Sequence, residues 1–284
     1  MANSILVTGA SGTIGTQLLQ VLKARGLDVA VMTSRPGHSL PGFRTVHGDF
    51  GSPEALAEAF RGFETVFLLQ PLAPQMVAYG LNAVAAARAA GVRHLVRSSG
   101  GGADAASPVS LAKAHGEIDD AVRASGLGWT ILRPSSFMDN HLTFNAGSIK
   151  SGTFHAPHGQ GATALIDARD IAESAAAVLA DPEAHAGRTY DLTGGEALTV
   201  AEQMAVLSEV LGRPVQYVDV PEQAAVEGMT AMGFPAVLVD WLSSLNFAIK
   251  AGYTAGLSGD VARLTGHAPR TFAAFARDHA SAWQ

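Results

Sequence analysis

Cysteine is absent from this chain of 284 residues, which excludes disulfides, cysteine nucleophiles and thiolate zinc sites. The absence is compatible with a reducing compartment, and we expect a cytoplasmic protein. Charged residues make up only 15% of the sequence and sum to a formal net charge of −6, which disfavours a broad nucleic-acid-binding surface. Since no long apolar run occurs, neither a membrane span nor a signal peptide is expected.

The patterns of metal and serine-hydrolase sites are also missing. The histidines form no His-x-x-x-His or Glu-x-x-His cluster, and His155 and His158 stand in a Pro/Gly-rich stretch without a neighbouring carboxylate. A nucleophile elbow of the form Gly-x-Ser-x-Gly does not occur. We therefore expect neither a metal site nor a serine triad.

The first half of the chain alternates short apolar runs with longer helical patterns, which is typical of βαβ units and a parallel sheet. The predicted strands are Ser4–Thr8, Asp28–Thr33, Thr45–His47, Thr65–Leu69, His94–Ser98 and Trp129–Arg133. The predicted helices are Gly12–Arg25, Pro53–Phe60, Gln75–Ala90 and Leu111–Ser125. This order predicts an α/β fold, a Rossmann-type doubly wound parallel sheet with helices on both faces.

The pattern is looser beyond about residue 135. Predicted helices at Ala168–Leu179 and Val200–Leu211 alternate with short strands at Tyr190–Leu192 and Gln216–Val220. The sequence therefore predicts an NAD(P)-binding domain over residues 1–150 and a smaller substrate-covering lobe over 151–284, interleaved with the Rossmann core. An apolar, partly aromatic stretch, Met229–Phe247, would serve as core or as the wall of a flat hydrophobic pocket.

The strongest motif is a Gly-x-x-Gly-x-x-Gly turn between the first strand and the first helix. Gly9 suits the tight turn, Gly12 lets the backbone approach a pyrophosphate, and Gly15 lets the helix pack closely on the strand. The N–H groups at the helix start would then face the phosphates. The residues predicted to bind the dinucleotide here are Gly9, Ser11, Gly12, Thr13 and Ile14.

The end of the second strand predicts which dinucleotide is bound. NAD-binding proteins place an acidic residue there for the ribose 2′-OH, whereas this chain has Ser34 and Arg35. A guanidinium suits a 2′-phosphate, so we expect NADP(H) rather than NAD(H). A solvated loop arginine is the alternative interpretation.

Asp49 and Phe50, which follow the third strand, form a second candidate contact with the nucleotide. The carboxylate could accept a hydrogen bond from the adenine amine, and the aromatic ring could flank the base. Asp49 could equally cap the helix that begins near Pro53.

Several ordered segments together resemble the NmrA-like branch of the atypical short-chain dehydrogenase/reductases, which includes triphenylmethane reductase-like and NADPH:quinone oxidoreductase-like proteins. These segments are Val7–Gly15, Ser125–Leu127, Trp129–Pro134, Phe137–Asn140, Asp167–Ala172, Tyr190–Gly194 and Leu211–Arg213. The resemblance runs nearly end to end and implies NADP binding along the carboxyl ends of the strands. It places Pro134 and Phe137 near the nicotinamide. Further implied cofactor contacts are Leu69, Gln70, Pro71 and Ser98.

The proton donor of ordinary short-chain dehydrogenases is missing. These enzymes commonly use a Tyr-x-x-x-Lys pair on the helix after the fifth strand, but Val109 stands four residues before Lys113, the only lysine of that helix. The remaining candidates for catalysis are His115, Lys113 and Ser99.

Each of these candidates also has a structural interpretation. An unperturbed imidazole titrates near neutrality, so His115 could donate a proton, but it could instead be a partly exposed residue spaced i,i+4 from Asp119. Lys113 and Glu117 share that spacing and could form a surface ion pair. Ser99 could simply contact the cofactor.

The sequence therefore predicts an NADPH-dependent reductase that transfers hydride to a small, electron-poor acceptor such as a quinone, enone or imine. The alternative is a non-catalytic redox sensor of NmrA type, which would bind NADP(H) and a protein partner. Under the first hypothesis the partner is a small-molecule substrate, with neither nucleic acid nor membrane, and a homodimer is compatible with the sequence.

Overall fold

Eleven strands occur in the computed structural model, which describes residues 4–284. They are β1 (Ile5–Val7), β2 (Val29–Thr33), β3 (Arg44–His47), β4 (Thr65–Leu68), β5 (His94–Ser98), β6 (Gly128–Pro134), β7 (Thr153–Ala156), β8 (Ala162–Thr163), β9 (Arg188–Leu192), β10 (Leu198–Thr199) and β11 (Gln216–Asp219).

Eleven α-helices occur over the same residues. They are α1 (Thr13–Ala24), α2 (Pro53–Phe60), α3 (Met76–Ala90), α4 (Ser110–Arg123), α5 (Ala146–Ser151), α6 (Ala168–Ala180), α7 (Val200–Leu211), α8 (Glu222–Ala231), α9 (Ala236–Lys250), α10 (Asp260–Thr265) and α11 (Phe272–Asp278). Short 3₁₀ helices cover Met138–His141, Glu183–His185 and Ala280–Trp283. None of the helices in residues 4–284 is both long enough and apolar enough to cross a membrane.

The main sheet has seven strands in the order β3-β2-β1-β4-β5-β6-β9. Strand β1 lies between β2 and β4, with Ile5 opposite both Val29 and Thr65, and the strands from β1 to β6 pair in parallel. Every residue of β1, β4 and β5 is buried, as expected for a parallel sheet covered on both faces. The predicted Rossmann-type doubly wound fold is confirmed.

Local signals fix several helix ends. Ser52 caps α2, where its Oγ accepts a hydrogen bond from Ala55 N and Pro53 occupies the first helical position. Thr199 and Glu202 form a capping box at the start of α7. Helix α3 ends at Ala90 and is followed by the cap residue Gly91, whose φ of +74° favours glycine.

The first compact unit comprises residues 4–107, 112–133 and 171–190. Its core packs apolar residues of the central strands, such as Leu6, Val66 and Leu95, against Leu56 and Phe60 of α2. The residues that follow the carboxyl ends of β1, β2, β4 and β5 belong to this unit.

The second unit comprises residues 108–111, 134–170 and 191–284. It contains two small sheets, antiparallel β8-β10 and parallel β7-β11. Its core is rich in aromatic residues, including Phe154, Phe272, Phe275 and Trp283. The chain passes from one unit to the other five times, so each unit is built from three separate segments.

Candidate functional site

Backbone contacts shape the glycine-rich turn between β1 and α1. Gly9 has a φ of +63°, and its carbonyl accepts a hydrogen bond from Gly12 N at 3.0 Å. A Cβ on Gly15 would lie 2.2 Å from the same carbonyl, so only glycine allows α1 to approach the turn this closely. The spacing of the motif therefore has a direct steric cause.

The start of α1 fits an anionic ligand. Gly12 is the N-cap residue, and no side chain in the described part of the protein caps the helix. The first N–H groups of a helix lack intrahelical partners and, with the helix dipole, attract anions. Ser11, Gly12 and Thr13 are exposed, whereas the Ile14 side chain is buried. The backbone of residues 11–14 is thus the feature that suits a pyrophosphate.

Thr8 ties this turn to the end of β4. Its Oγ1 accepts a hydrogen bond from Leu69 N at 2.8 Å, and the Leu69 carbonyl would lie 2.8 Å from a Cβ on Gly9. Leu69 is half-buried and Pro71 is exposed at this edge. These contacts hold the carboxyl ends of β1 and β4 next to each other.

Arg35 lies at the exposed end of β2. Its backbone N–H donates to Thr33 Oγ1 at 3.2 Å, while its guanidinium has no partner among the described residues. The neighbouring Ser34 carbonyl contacts His47 Nε2 at 3.1 Å. An unpaired guanidinium at this position is free to bind an anion.

Asp49 and Phe50 have different environments. Asp49 is exposed, and its Oδ1 accepts a hydrogen bond from Gly51 N at 2.9 Å. The alternative that Asp49 caps α2 is wrong, because Ser52 is the cap. Phe50 is buried in the core with its ring centroid 6.0 Å from that of Tyr79. Only Asp49 of this pair presents its side chain at the surface.

A buried ionic cluster lies below the carboxyl end of β5. Arg97, which has no exposed surface, donates from Nε to Asp119 Oδ1 at 2.8 Å. Arg133 donates from Nε and Nη2 to Asp119 Oδ2 at 3.1 and 3.0 Å. One carboxylate is thus shared by two guanidinium groups.

Arg97 also binds two of the predicted site residues. Its Nη1 donates to Gln70 Oε1 at 3.0 Å, and its Nη2 donates to His115 Nδ1 at 3.2 Å. On its other side the imidazole is confined by Gly100, where a Cβ would lie 2.9 Å from His115 Cδ2. Gln70 and His115 come from different elements, β4's end and α4, and Arg97 brings them together.

This environment keeps His115 neutral. Its pKa is lowered to about 4, chiefly by burial and also by the charges of Arg97 and Arg133, against which Asp119 acts. The expectation that this imidazole titrates near neutrality is therefore wrong. His115 and Asp119 do share a face of α4, as their spacing predicts, but each is bound to Arg97.

The hydroxyls of Ser98 and Ser99 are buried, and neither Oγ has a hydrogen-bond partner among residues 4–284. Buried polar atoms normally find partners, so this pair fits a polar ligand at the end of β5. Lys113 and Glu117 are both exposed, and no ion pair joins them in the described chain. The surface ion pair considered for them is not formed.

Residues of the second unit near the predicted nicotinamide contact have structural partners. Phe137 pairs with Ile166 in an isolated parallel bridge, and Pro134 is buried at the end of β6. At the start of α6, Asp167 Oδ1 accepts a hydrogen bond from Arg169 N at 2.8 Å and so caps the helix.

The apolar stretch 229–247 divides at Gly233–Pro235 into the end of α8 and most of α9. Trp241 is buried, whereas Met232 and Phe247 are 69% and 53% exposed. Part of the stretch is therefore core, and part is exposed apolar surface.

Arg97 is the residue of this site that sequence reasoning missed. Its signal was a single arginine directly after Leu95 and Val96, in a strand of the buried parallel sheet. A charge at such a position requires a buried partner, and Asp119 and His115 on one face of α4 were the candidates.

Comparison with known proteins gives consistent findings over most of the chain. The model of the NmrA-like family matches residues 1–256. The chain is 38% identical over 283 residues to NAD(P)H azoreductase of Xenophilus azovorans, covering 98% of this chain and 99% of that protein. It is 35% identical over 285 residues to (4-alkanoyl-5-oxo-2,5-dihydrofuran-3-yl)methyl phosphate reductase of Streptomyces griseus, covering 98% and 99%.

Among solved structures, the chain resembles the NADPH-dependent quinone oxidoreductase of Escherichia coli in its complex with NADPH. The two are 27% identical, the TM-score is 0.87, and the match covers 98% of this chain and 99% of that one.

Proposed function

The chain belongs to the NmrA-like family, and we propose that this NAD(P)H-dependent reductase uses NADPH to reduce a small, electron-poor acceptor such as a quinone, azo compound, enone or imine. The observation that carries the proposal is the fit of the β1–α1 turn to a pyrophosphate: an uncapped helix start, with glycines where a side chain would clash. The similarity to an azoreductase and to a quinone oxidoreductase supports the acceptor class.

Residues of the first unit would hold the cofactor at its separate groups. The N–H groups of residues 11–14 would bind the pyrophosphate, and Arg35 would bind the 2′-phosphate through charge-assisted hydrogen bonds. The free oxygen of Asp49 would accept from the adenine amine. When bound, NADPH supplies a hydride, so that acceptor, NADPH and one proton give reduced acceptor and NADP⁺.

The proposed acceptor class follows from the missing acid. The chain lacks the Tyr-x-x-x-Lys pair, and His115 is neutral at physiological pH, so no side chain of this cluster is poised to deliver a proton. An electron-poor acceptor delocalises the incoming charge and can take its proton from water. Positioning would then account for much of the rate enhancement.

The direct test is NADPH oxidation by the purified protein, followed optically against quinones, azo compounds, enones and imines, with His115→Ala measured alongside. We expect turnover with at least one class and a lower kcat in the variant. If the protein binds NADPH and NADP⁺ with clearly different affinities but reduces none of these acceptors, the redox-sensor alternative is favoured instead.

Cofactor preference is tested by Arg35→Ala, with the exposed Arg88→Ala as the matched control. Loss of a charge-assisted contact should raise the KM for NADPH by about 10- to 100-fold and leave the KM for NADH nearly unchanged. Equal changes for both cofactors would contradict a 2′-phosphate site at Arg35.

A further inference from the structure

Arg97 can only donate hydrogen bonds, and this determines the chemistry of its partners. A guanidinium has five N–H groups and no acceptor, so each atom that faces it must be an acceptor. The Gln70 atom at 3.0 Å is therefore the carbonyl oxygen, and the His115 atom at 3.2 Å is an unprotonated Nδ1. The proton of the neutral imidazole must then be on Nε2, and the Gln70 NH₂ group points away from Arg97.

We propose that Arg97 is a positioning residue that makes His115 and Gln70 hydrogen-bond donors toward the substrate, and so selects acceptors whose reducible bond ends in a lone pair. This inference rests on the proposed reductase function. A quinone carbonyl or an azo nitrogen meets the requirement, because the atom that gains negative charge on hydride transfer can accept a hydrogen bond. A cationic triarylmethane dye does not, because its reacting carbon has no lone pair.

The charges around His115 favour the same selection. The charged groups around it are Arg97, Arg133 and Asp119, two positive and one negative. Protonation of the imidazole is disfavoured because both arginines repel the added positive charge and because Nδ1 would lose its hydrogen bond from Arg97. This excess of positive charge opposes a cationic substrate and stabilises developing negative charge.

The position of the imidazole is also fixed sterically. Gly100 leaves just enough room for the ring, since a Cβ there would lie 3.1 Å from His115 Nε2. Arg97 therefore fixes one side of the ring, and its other edge occupies space that a side chain at position 100 would fill. A donor that is held in place needs no reorganisation when charge develops.

The first test is the tautomer of His115, read from the ¹⁵N shifts and long-range ¹H–¹⁵N couplings of the labelled full-length protein at pH 7. His115→Gln identifies the signal by its loss. We expect a neutral Nε2–H imidazole, and this readout does not depend on any activity. An Nδ1–H tautomer or an imidazolium at pH 7 would overturn the proposal, even if no Arg97 variant folds.

The second test compares Arg97→Lys with Arg93→Lys, whose side chain is 65% exposed just before the same strand. Lysine keeps the charge but replaces the three separate guanidinium nitrogens that bind Asp119, Gln70 and His115 with a single ammonium nitrogen. We expect a mixed His115 tautomer and a kcat for a neutral quinone or azo compound that is about 100-fold lower, with a smaller change in KM. An unchanged tautomer and kcat in Arg97→Lys would overturn the role of Arg97.

A substrate panel tests the selection and separates it from the proposed function. The wild-type kcat/KM should be at least tenfold higher for the neutral quinone or azo compound than for a cationic triarylmethane dye. Equal or faster reduction of the dye would overturn the selection while leaving the reductase intact. If nothing is reduced but the tautomer is Nε2–H, the proposed function fails and the positioning by Arg97 stands.

Discussion

His115 in the first unit and His141 in the second are both kept neutral, but by different environments. His115 is held by a polar cluster in which its Nδ1 accepts from Arg97. His141 lies among aromatic rings, stacked on Phe154 at 6.2 Å and edge-on to Phe272 at 5.3 Å, and neither ring nitrogen makes a well-formed hydrogen bond with the described residues, although Gln203 and the Met138 backbone lie nearby. Both have a pKa lowered to about 4.

The difference lies in what each imidazole can do. The cause at His141 is burial, opposed weakly by Gln203 and the Met138 backbone, so its neutrality only reflects an apolar core. At His115 the arginine charges add to burial and also fix which nitrogen carries the proton. A neutral histidine is thus chemically informative only when a directional partner orients it.

Disrupting the polar cluster around His115 should have the largest effect on stability. In Asp119→Asn, Arg97 and Arg133 lose their shared counter-charge inside the protein, and the free energy of unfolding should fall by about 3–5 kcal/mol. Urea denaturation measures the change. The control is Asp120→Asn, an adjacent carboxylate that is 62% exposed and paired with Arg123, where we expect less than about 1 kcal/mol. Equal losses in both variants would mean that the cluster contributes no more than a surface pair.

The aromatic environment of His141 is tested by the pH dependence of stability. Because the pKa of His141 is about 4 when folded and near 6.5 when unfolded, the unfolded chain binds an extra proton between these values, and stability falls as pH falls through that window. One such proton contributes about 1.4 kcal/mol per pH unit. His141→Phe should flatten the dependence by up to that amount, measured by urea unfolding between pH 7 and 4.5. Parallel curves for the two proteins would show that His141 is not the titrating group.

The smallest effect on stability should come from adding a methyl group beside His115 without removing a charge. In Gly100→Ala the new Cβ would lie 2.9 Å from the His115 ring, so the ring or the loop must shift at a cost of about 1 kcal/mol. Gly147→Ala is the control in the second unit: it lies within α5 with open space around it and should be neutral or stabilising. Thermal unfolding of both variants measures the contrast, and a stabilised Gly100→Ala would argue against a confined ring.

Sequence patterns predicted the features that depend on local chemistry. The glycine turn and the bounds of α2 and α7 follow from spacing, capping residues and apolar periodicity. From the sequence, only Asp49 was considered as the cap of α2, although Ser52 directly precedes Pro53, the first residue of the helix.

Features that depend on distant residues were not predicted. The Arg97 cluster joins β4, β5, β6 and α4, and only the strand order brings these elements together. The two-residue strands β8 and β10 are too short for a periodic pattern, and they exist because each pairs with the other.

The repeated passage of the chain between the two units has a consequence for synthesis on the ribosome. The last strand of the main sheet, β9, is encoded more than fifty residues after β6, its neighbour, and the intervening chain belongs largely to the other unit. At about 5–20 residues per second, the edge of β6 stays unpaired for several seconds while the nascent chain grows. During that time the exposed edge can be engaged by a chaperone or by a neighbouring nascent chain, so slow translation of residues 135–187 would increase the risk of misassembly.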